Sequence, residues 1–236
     1  SHADIFAVGD AVEVKDVLTG EASLVALAGP ANRQGRIAAD VIAGRDARFR
    51  GTQGTAIIGM FGAAAAWTGV NEKSDGRVIG AQGLGEDGVD KRISTIAMAI
   101  QMGATVYDLE EAELCYAPQF GSAKDPVNFA GMVAADILRG DMPISHWNAA
   151  GDGFLLDVRE AFELAVESVP GALNIPLGQL RARLGELPRD REILVVCRSG
   201  QRAYSATRML LQQGFTARNL SGGMLSRAQV ASFWTS

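Results

Sequence analysis

The residue with the most chemical potential in this sequence is Cys197. It stands between an apolar run, Ile193-Leu194-Val195-Val196, and the polar stretch Arg198-Ser199-Gly200-Gln201-Arg202. The apolar run reads as a buried strand and the residues from Ala203 to Gln213 as a helix. The cysteine sulfur would then sit at a strand end with a helix N-terminus facing it. Unsatisfied N–H groups at a helix start favour an anion, by up to ~2 kcal/mol where the site is partly buried. A thiolate is such an anion, so this setting predicts a Cys197 thiol that is largely ionised near neutrality and nucleophilic. Gly200 allows the backbone to curl until successive amides converge into a nest. Arg198 lies within the loop and Arg202 opens the helix; each reads either as part of the anion site or as a solvated helix-start charge.

Other reactive residues give weaker signals. Cys115, in Glu113-Leu114-Cys115-Tyr116, has no adjacent base or glycine loop and reads as an inert, partly buried thiol. Asp157, at the end of its strand, reads as a hydrogen-bond anchor for neighbouring loops rather than an acid or base. Gly83-Leu84-Gly85-Glu86-Asp87-Gly88 fits the glycine pattern of a dinucleotide site. Glu86 and Asp87, however, would put two carboxylates where a pyrophosphate should sit, whereas as first-turn acids they complement a helix dipole. The four alanines between Gly62 and Trp67 read as close packing, and His146 beside Trp147 as a junction contact. With His2 and His146 the only histidines and the two cysteines far apart, no metal site is expected.

Strands alternating with helices must position the Cys197 loop. From Phe154 onward the pattern runs strand 154–158, helix from about 160, strand 172–175, helix 177–187, strand 193–196, helix 203–213 and strand 216–220. This is the signature of a parallel sheet covered on both faces, with ligands beyond the carboxyl ends of the strands. Upstream, 4–10 reads as a buried strand, 24–43 as a helix interrupted by Gly29-Pro30, 55–60 and 77–82 as strands, and 87–102 and 126–138 as helices. A junction falls between Asp141 and Gly153.

The chain has 236 residues and two cysteines, so it can bury a proper core without disulfides, and a reduced setting is expected. No apolar run is long enough to span a membrane and no leader is evident, so a cytoplasmic protein is expected. Residues 1–150 carry 12 basic and 19 acidic side chains. Residues 151–236 carry 10 and 8, and every base there is arginine. That excess is too small for a nucleic-acid footprint but suits a site for small anions.

The Cys197 loop, together with Leu155-Leu156-Asp157-Val158-Arg159-Glu160, Pro170-Gly171-Ala172-Leu173-Asn174-Ile175-Pro176 and Asn219-Leu220-Ser221-Gly222-Gly223, resembles a single-domain rhodanese over roughly 147–236. The resemblance implies a sulfurtransferase in which Cys197 takes a sulfane sulfur as a persulfide. The amides of Arg198, Ser199, Gly200, Gln201 and Arg202 would hold it, and a thiol or cyanide would accept it. Ser168-Val169 stands where many rhodaneses have His-Ile, so no histidine role carries over there. Two competing readings of Cys197 are a buried inert thiol and a phosphatase nucleophile. Phosphatase loops place five residues between cysteine and arginine, whereas four separate Cys197 from Arg202, and the smaller ring suits one sulfur atom.

The first part resembles the carboxyl-terminal portion of a pyridine nucleotide-disulfide oxidoreductase of the coenzyme A-disulfide reductase or NADH-dependent persulfide reductase type. The residues that carry this are Ala7-Val8-Gly9-Asp10-Ala11, Ala28-Gly29-Pro30-Ala31-Asn32-Arg33 and Tyr116-Ala117-Pro118 leading to Asn128. The resemblance implies three segments: 1–50 as the tail of an FAD-binding domain, 51–140 as an α+β dimerisation domain shortened near 73–74, and 147–236 as the α/β rhodanese domain. It also implies that Gly9, Asp10, Pro30 and Ala31 approach FAD, and that Tyr116 faces the partner's active site in a homodimer. NAD(P)H, and coenzyme A as a possible further ligand, belong to the intact parent enzyme. The upstream nucleotide-binding half is missing from this sequence, so the chain alone is expected to retain no cofactor. The alternative, from a different class, is a non-catalytic dimerisation or partner-docking module.

Overall fold

The computed structural model describes residues 5–70 and 76–227, and the chain divides into two compact units between Met132 and Val133. The suspected shortening near 73–74 lies outside the described residues.

In the first unit, β1 (Glu13–Lys15) pairs antiparallel with β2 (Ala22–Leu24), and helix α1 (Ala28–Ile42) follows. β3 (Ala56–Met60), β4 (Ala63–Gly69) and β5 (Gly80–Gly85) form an antiparallel sheet in that order. Helix α2 (Val89–Gln101) packs across β4 and β5, with α3 (Val106–Glu111) and the start of α4 (Pro126–Arg139) completing the unit. The glycine pattern at 83–88 is explained by this packing. A Cβ on Gly83 or on Gly85 would lie 3.2 Å from a Val89 methyl, so both glycines let α2 approach the sheet. Gly88 takes the left-handed conformation just before the helix (φ 68°). The alanine run is strand β4, whose Ala66 is buried against Val89 and Ile93.

Several sequence expectations shift here. Residues 5–8 form no strand and are exposed rather than buried, while Asp4 lies outside the described residues. An apolar run becomes a strand only where a neighbouring edge takes up its backbone bonds, and β1, which has β2 as its partner, lies further downstream. Helix α1 starts at Ala28 rather than 24, because Ala22–Leu24 is taken by pairing with β1. Gly29-Pro30 therefore sits in its first turn, where proline's missing N–H costs nothing. The strand expected at 77–82 runs from Gly80 to Gly85 instead, in register with β4.

The second unit holds a five-stranded, all-parallel sheet. Its strands are β6 (Ile144–Ser145), β7 (Phe154–Asp157), β8 (Leu173–Asn174), β9 (Ile193–Val196) and β10 (Ala217–Leu220), in the spatial order β6-β10-β9-β7-β8. The helices are α5 (Ala161–Leu164), α6 (Leu177–Leu180) and α7 (Gln201–Gln212), with 3-10 turns at Trp147–Ala149 and Leu184–Glu186. The helix expected over 177–187 is thus two short pieces. β9 is central and buried along its whole length, which is why it reads as an unbroken apolar run. Ile193 and Val195 face Leu156, Leu180, Ala203, Ala206 and Leu210, whereas Leu194 and Val196 face Val169, Leu220 and Met224. Each fully buried side chain of this size contributes ~1.5–3 kcal/mol, so the position of the β9 end is firmly set. Cys197 continues the alternation onto the Val195 side and is 1% exposed.

Among the described residues, no helix is long and apolar enough to cross a membrane. Nor, among the described residues, is any cluster of three or more histidine, cysteine or acidic side chains placed to hold a metal ion.

Candidate active site

Helix α7 begins at Gln201, two residues before the sequence suggested, and its N-cap is Gly200 in the left-handed conformation (φ 96°). The chain therefore turns from β9 into α7 within Cys197, Arg198, Ser199 and Gly200, which brings the amides of the cap residue and of Ala203 onto the sulfur. Cys197 Sγ accepts hydrogen bonds from Gly200 N at 3.2 Å and Ala203 N at 3.4 Å. Two backbone donors thus converge on one sulfur.

Arg198 and Ser199 are exposed at the lip of the loop, while Gly200 is buried. Arg202 is not a free solvated charge. Its guanidinium donates to both carboxylate oxygens of Glu163, at 2.6 and 2.8 Å. These bonds hold the Glu163 carboxyl down at about 2, with the Glu160 N–H helping. Glu163 raises the Arg202 guanidinium in turn, and the nearby Cys197 adds to that.

Behind the loop, residues from β10 onward fix its backbone. Cys197 O accepts from Met224 N at 2.9 Å and Arg198 O from Leu225 N at 3.1 Å. Gly223 O accepts the indole N–H of Trp147 at 2.8 Å. Gly223 has φ 56°, and a Cβ there would lie 2.2 Å from Cys197 O and 2.8 Å from the Arg198 carbonyl group. Gly223→Ala combines left-handed strain with a backbone clash and is expected to destabilise this unit by about 2–5 kcal/mol. A lowered urea midpoint would show it; a wild-type midpoint would mean that the glycine is not needed for the close approach.

Asp157 acts as the anchor its position suggested. It is 1% exposed and its carboxylate accepts from Arg159 Nε at 3.0 and 3.1 Å and from Nη2 at 2.6 Å. Arg159 also donates to Glu167 O at 2.9 Å, and Asn174 Nδ2 donates to the carbonyls of Asp157 and Arg159. This network sets the path of residues 157–167, which carry Glu163 to Arg202. Sequence reasoning gave Glu163 and Trp147 no role at the site. The signal for Glu163 was an acidic residue in the first turn of the helix that follows β7, a strand whose carboxyl end lies beside that of β9.

The remaining candidates lie in the first unit. Cys115 is exposed rather than partly buried, because its segment, 112–117, is irregular and lies outside the helices. Tyr116 beside it is 61% exposed. Gly9 N donates to Gln34 Oε1 at 3.1 Å, which ties the 9–10 segment to α1; Asp10 is exposed, Pro30 buried and Ala31 half-buried.

A buried cysteine at the end of a central parallel strand, cradled by the amides of the next helix and an arginine-bearing first turn, defines a thiol-based group-transfer domain. Residues 144–227 match the Rhodanese-like domain, and a sulfurtransferase of Allochromatium vinosum is 39% identical over 79 residues, 33% of this chain and 74% of that protein. The chain belongs to the rhodanese-like sulfurtransferase family. Residues 52–125 match the pyridine nucleotide-disulphide oxidoreductase dimerisation domain, so the two resemblances seen in the sequence are both present in one chain. The crystal structure of reduced CoADR-RHD from Bacillus anthracis is similar over 94% of this chain and 47% of that one, with 39% identity and a TM-score of 0.89. The NAD-dependent persulfide reductase of A. fulgidus covers 96% of this chain and 48% of its own, with 34% identity and a TM-score of 0.85. The chain thus spans about half the length of these two solved relatives.

Proposed function

We propose that Cys197 carries a sulfane sulfur as a persulfide. The observation that supports this most directly is the convergence of Gly200 N and Ala203 N on its sulfur. The Cys197 thiolate attacks the outer sulfur of a donor such as thiosulfate. A sulfur–sulfur bond forms to Cys197 while the donor's own sulfur–sulfur bond breaks and sulfite leaves with the electron pair. The terminal sulfur of the persulfide carries the negative charge, and the amide cradle with Arg202 beside it is suited to that charge. A thiolate or cyanide then attacks that terminal sulfur, taking it as a new persulfide or as thiocyanate and returning the Cys197 thiolate. No net oxidation occurs in either step.

The similarity to a coenzyme A-disulfide reductase-type chain and to a persulfide reductase supports a wider reading. The sulfur carried by Cys197 would belong to the cycle of an FAD- and NAD(P)H-dependent disulfide or persulfide reductase that pairs as a homodimer through residues 51–140, with Tyr116 facing the partner. The residues of this chain fit one edge of a flavin site. Asp10 offers an exposed carboxylate as an acceptor for hydroxyls, and the N-terminus of α1, where Leu27 supplies no side-chain cap, offers backbone donors near Pro30 and Ala31. When bound there, the flavin would supply two-electron reduction.

The test is intact-mass measurement after incubation with thiosulfate or a persulfide donor. The expected result is a gain of one sulfur atom on Cys197, discharged by cyanide as stoichiometric thiocyanate. Because Cys115 is exposed, the measurement is repeated in Cys115→Ser, and sulfur found only on Cys115 would refute the assignment.

A further inference from the structure

Asn219 lies on β10, 5% exposed, two residues before the turn that clamps the Cys197 loop. Its Nδ2 donates to Gly200 O at 3.1 Å and to Met142 Sδ at 3.6 Å, while its buried Oδ1 has no hydrogen-bond partner. An orphaned buried acceptor carries its full desolvation cost, and an apolar side chain of the same shape would avoid it. The helix does not require the Asn219 bond either, since Gly200 O already accepts Tyr204 N at 2.8 Å. On stability grounds alone, asparagine is a poor choice at this position.

The position of Gly200 supplies the reason. Its N–H is one of the two donors to Cys197 Sγ, and its left-handed conformation (φ 96°) is the pivot between loop and helix. In a planar trans peptide the carbonyl and the following N–H point in opposite directions. Drawing Gly200 O towards Asn219 on β10 therefore turns the Gln201 N–H the other way. Gly200 O is thus held from two sides, by Tyr204 N and Asn219 Nδ2, across the Cα from the N–H that Gly200 gives to the sulfur.

We propose that Asn219 is a positioning residue of the sulfur-transfer site, which leaves its own oxygen unsatisfied in order to fix Gly200, the residue whose N–H is given to the Cys197 sulfur. This rests on the reading of Cys197 as the sulfur carrier. The test uses Asn219→Leu in the full chain with Cys115→Ser, following iodoacetamide alkylation of Cys197 against pH alongside thermal unfolding. The expected result is an alkylation rate about tenfold lower at pH 7, with the midpoint of the profile moved up by about one pH unit. The unfolding temperature should be unchanged or higher. A wild-type alkylation profile in the folded variant would overturn the proposal, as would a lowered stability with the profile unmoved. Should leucine fail to fold, Asn219→Ala gives the same reading, with the same outcomes deciding. Sulfur loading of the parent chain is measured separately. If that fails, the carrier reading falls, while the alkylation profile still decides what Asn219 does.

Discussion

Cys197→Ser is expected to lower sulfur transfer from thiosulfate to cyanide by ~10³-fold or more while leaving the second unit folded. The two side chains are nearly the same size, and a serine oxygen can accept the bonds that Gly200 N and Ala203 N now give to sulfur. The packing of β9 against Leu156, Leu210 and Ala206 is untouched. What is lost is chemical. A hydroxyl is not ionised in this pH range, and oxygen does not replace sulfur as the carrier in a persulfide. The thiocyanate assay and the intact mass should fall together, with no sulfur gained at position 197. Cys115→Ser should leave both readings at the parental level. Transfer that survives in Cys197→Ser but not in Cys115→Ser would move the chemistry to the exposed thiol and overturn the site.

The contrast between the two cysteines also shows which features a sequence can reveal. The Cys197 site was legible because its parts are consecutive: a buried strand, the thiol, a glycine that can turn the chain, and a helix start. The parallel sheet was legible for a similar reason, since its strands are short apolar runs separated by helical spacing. The features that were not legible depend on partners distant in the chain. Arg202 read equally as part of the anion site or as a solvated charge, because Glu163, 39 residues earlier, gives no local sign of reaching it. Asn219 acts on Gly200 from 19 residues away. Gly223 looks like any turn glycine until the carbonyl of Cys197 is placed against it. The apolar segment at 5–8 misleads in the opposite sense, because its composition suits a strand while no edge among the described residues pairs with it. The same limit explains the glycines at 83 and 85, whose spacing imitates a phosphate loop but whose role is to admit Val89 and Ile93.

Asp157→Ala is expected to produce the largest loss of stability, about 3–5 kcal/mol. The Arg159 guanidinium is 5% exposed and Asp157 is its only charged partner within salt-bridge distance among the described residues. A guanidinium stays protonated at any pH a folded protein meets, even without Asp157, so the arginine cannot escape the loss by deprotonating. It would remain a buried charge bonded only to the Glu167 carbonyl, or would swing out and leave a cavity beneath the 157–167 segment. Either way, Glu163 loses its fixed path to Arg202, so transfer activity should fall with stability even though Asp157 touches no reacting atom. For a domain of this size the thermal midpoint should drop by roughly 15 °C or more. The double variant Asp157→Leu with Arg159→Met separates charge from shape. An apolar pair of similar volume removes the uncompensated guanidinium, and the double variant should recover much of the stability lost in the single one. If both variants unfold at the same low temperature, the pair matters for its hydrogen bonds to the backbone rather than for its charge. If Asp157→Ala unfolds at the parental temperature, the ion pair is not what holds the segment in place.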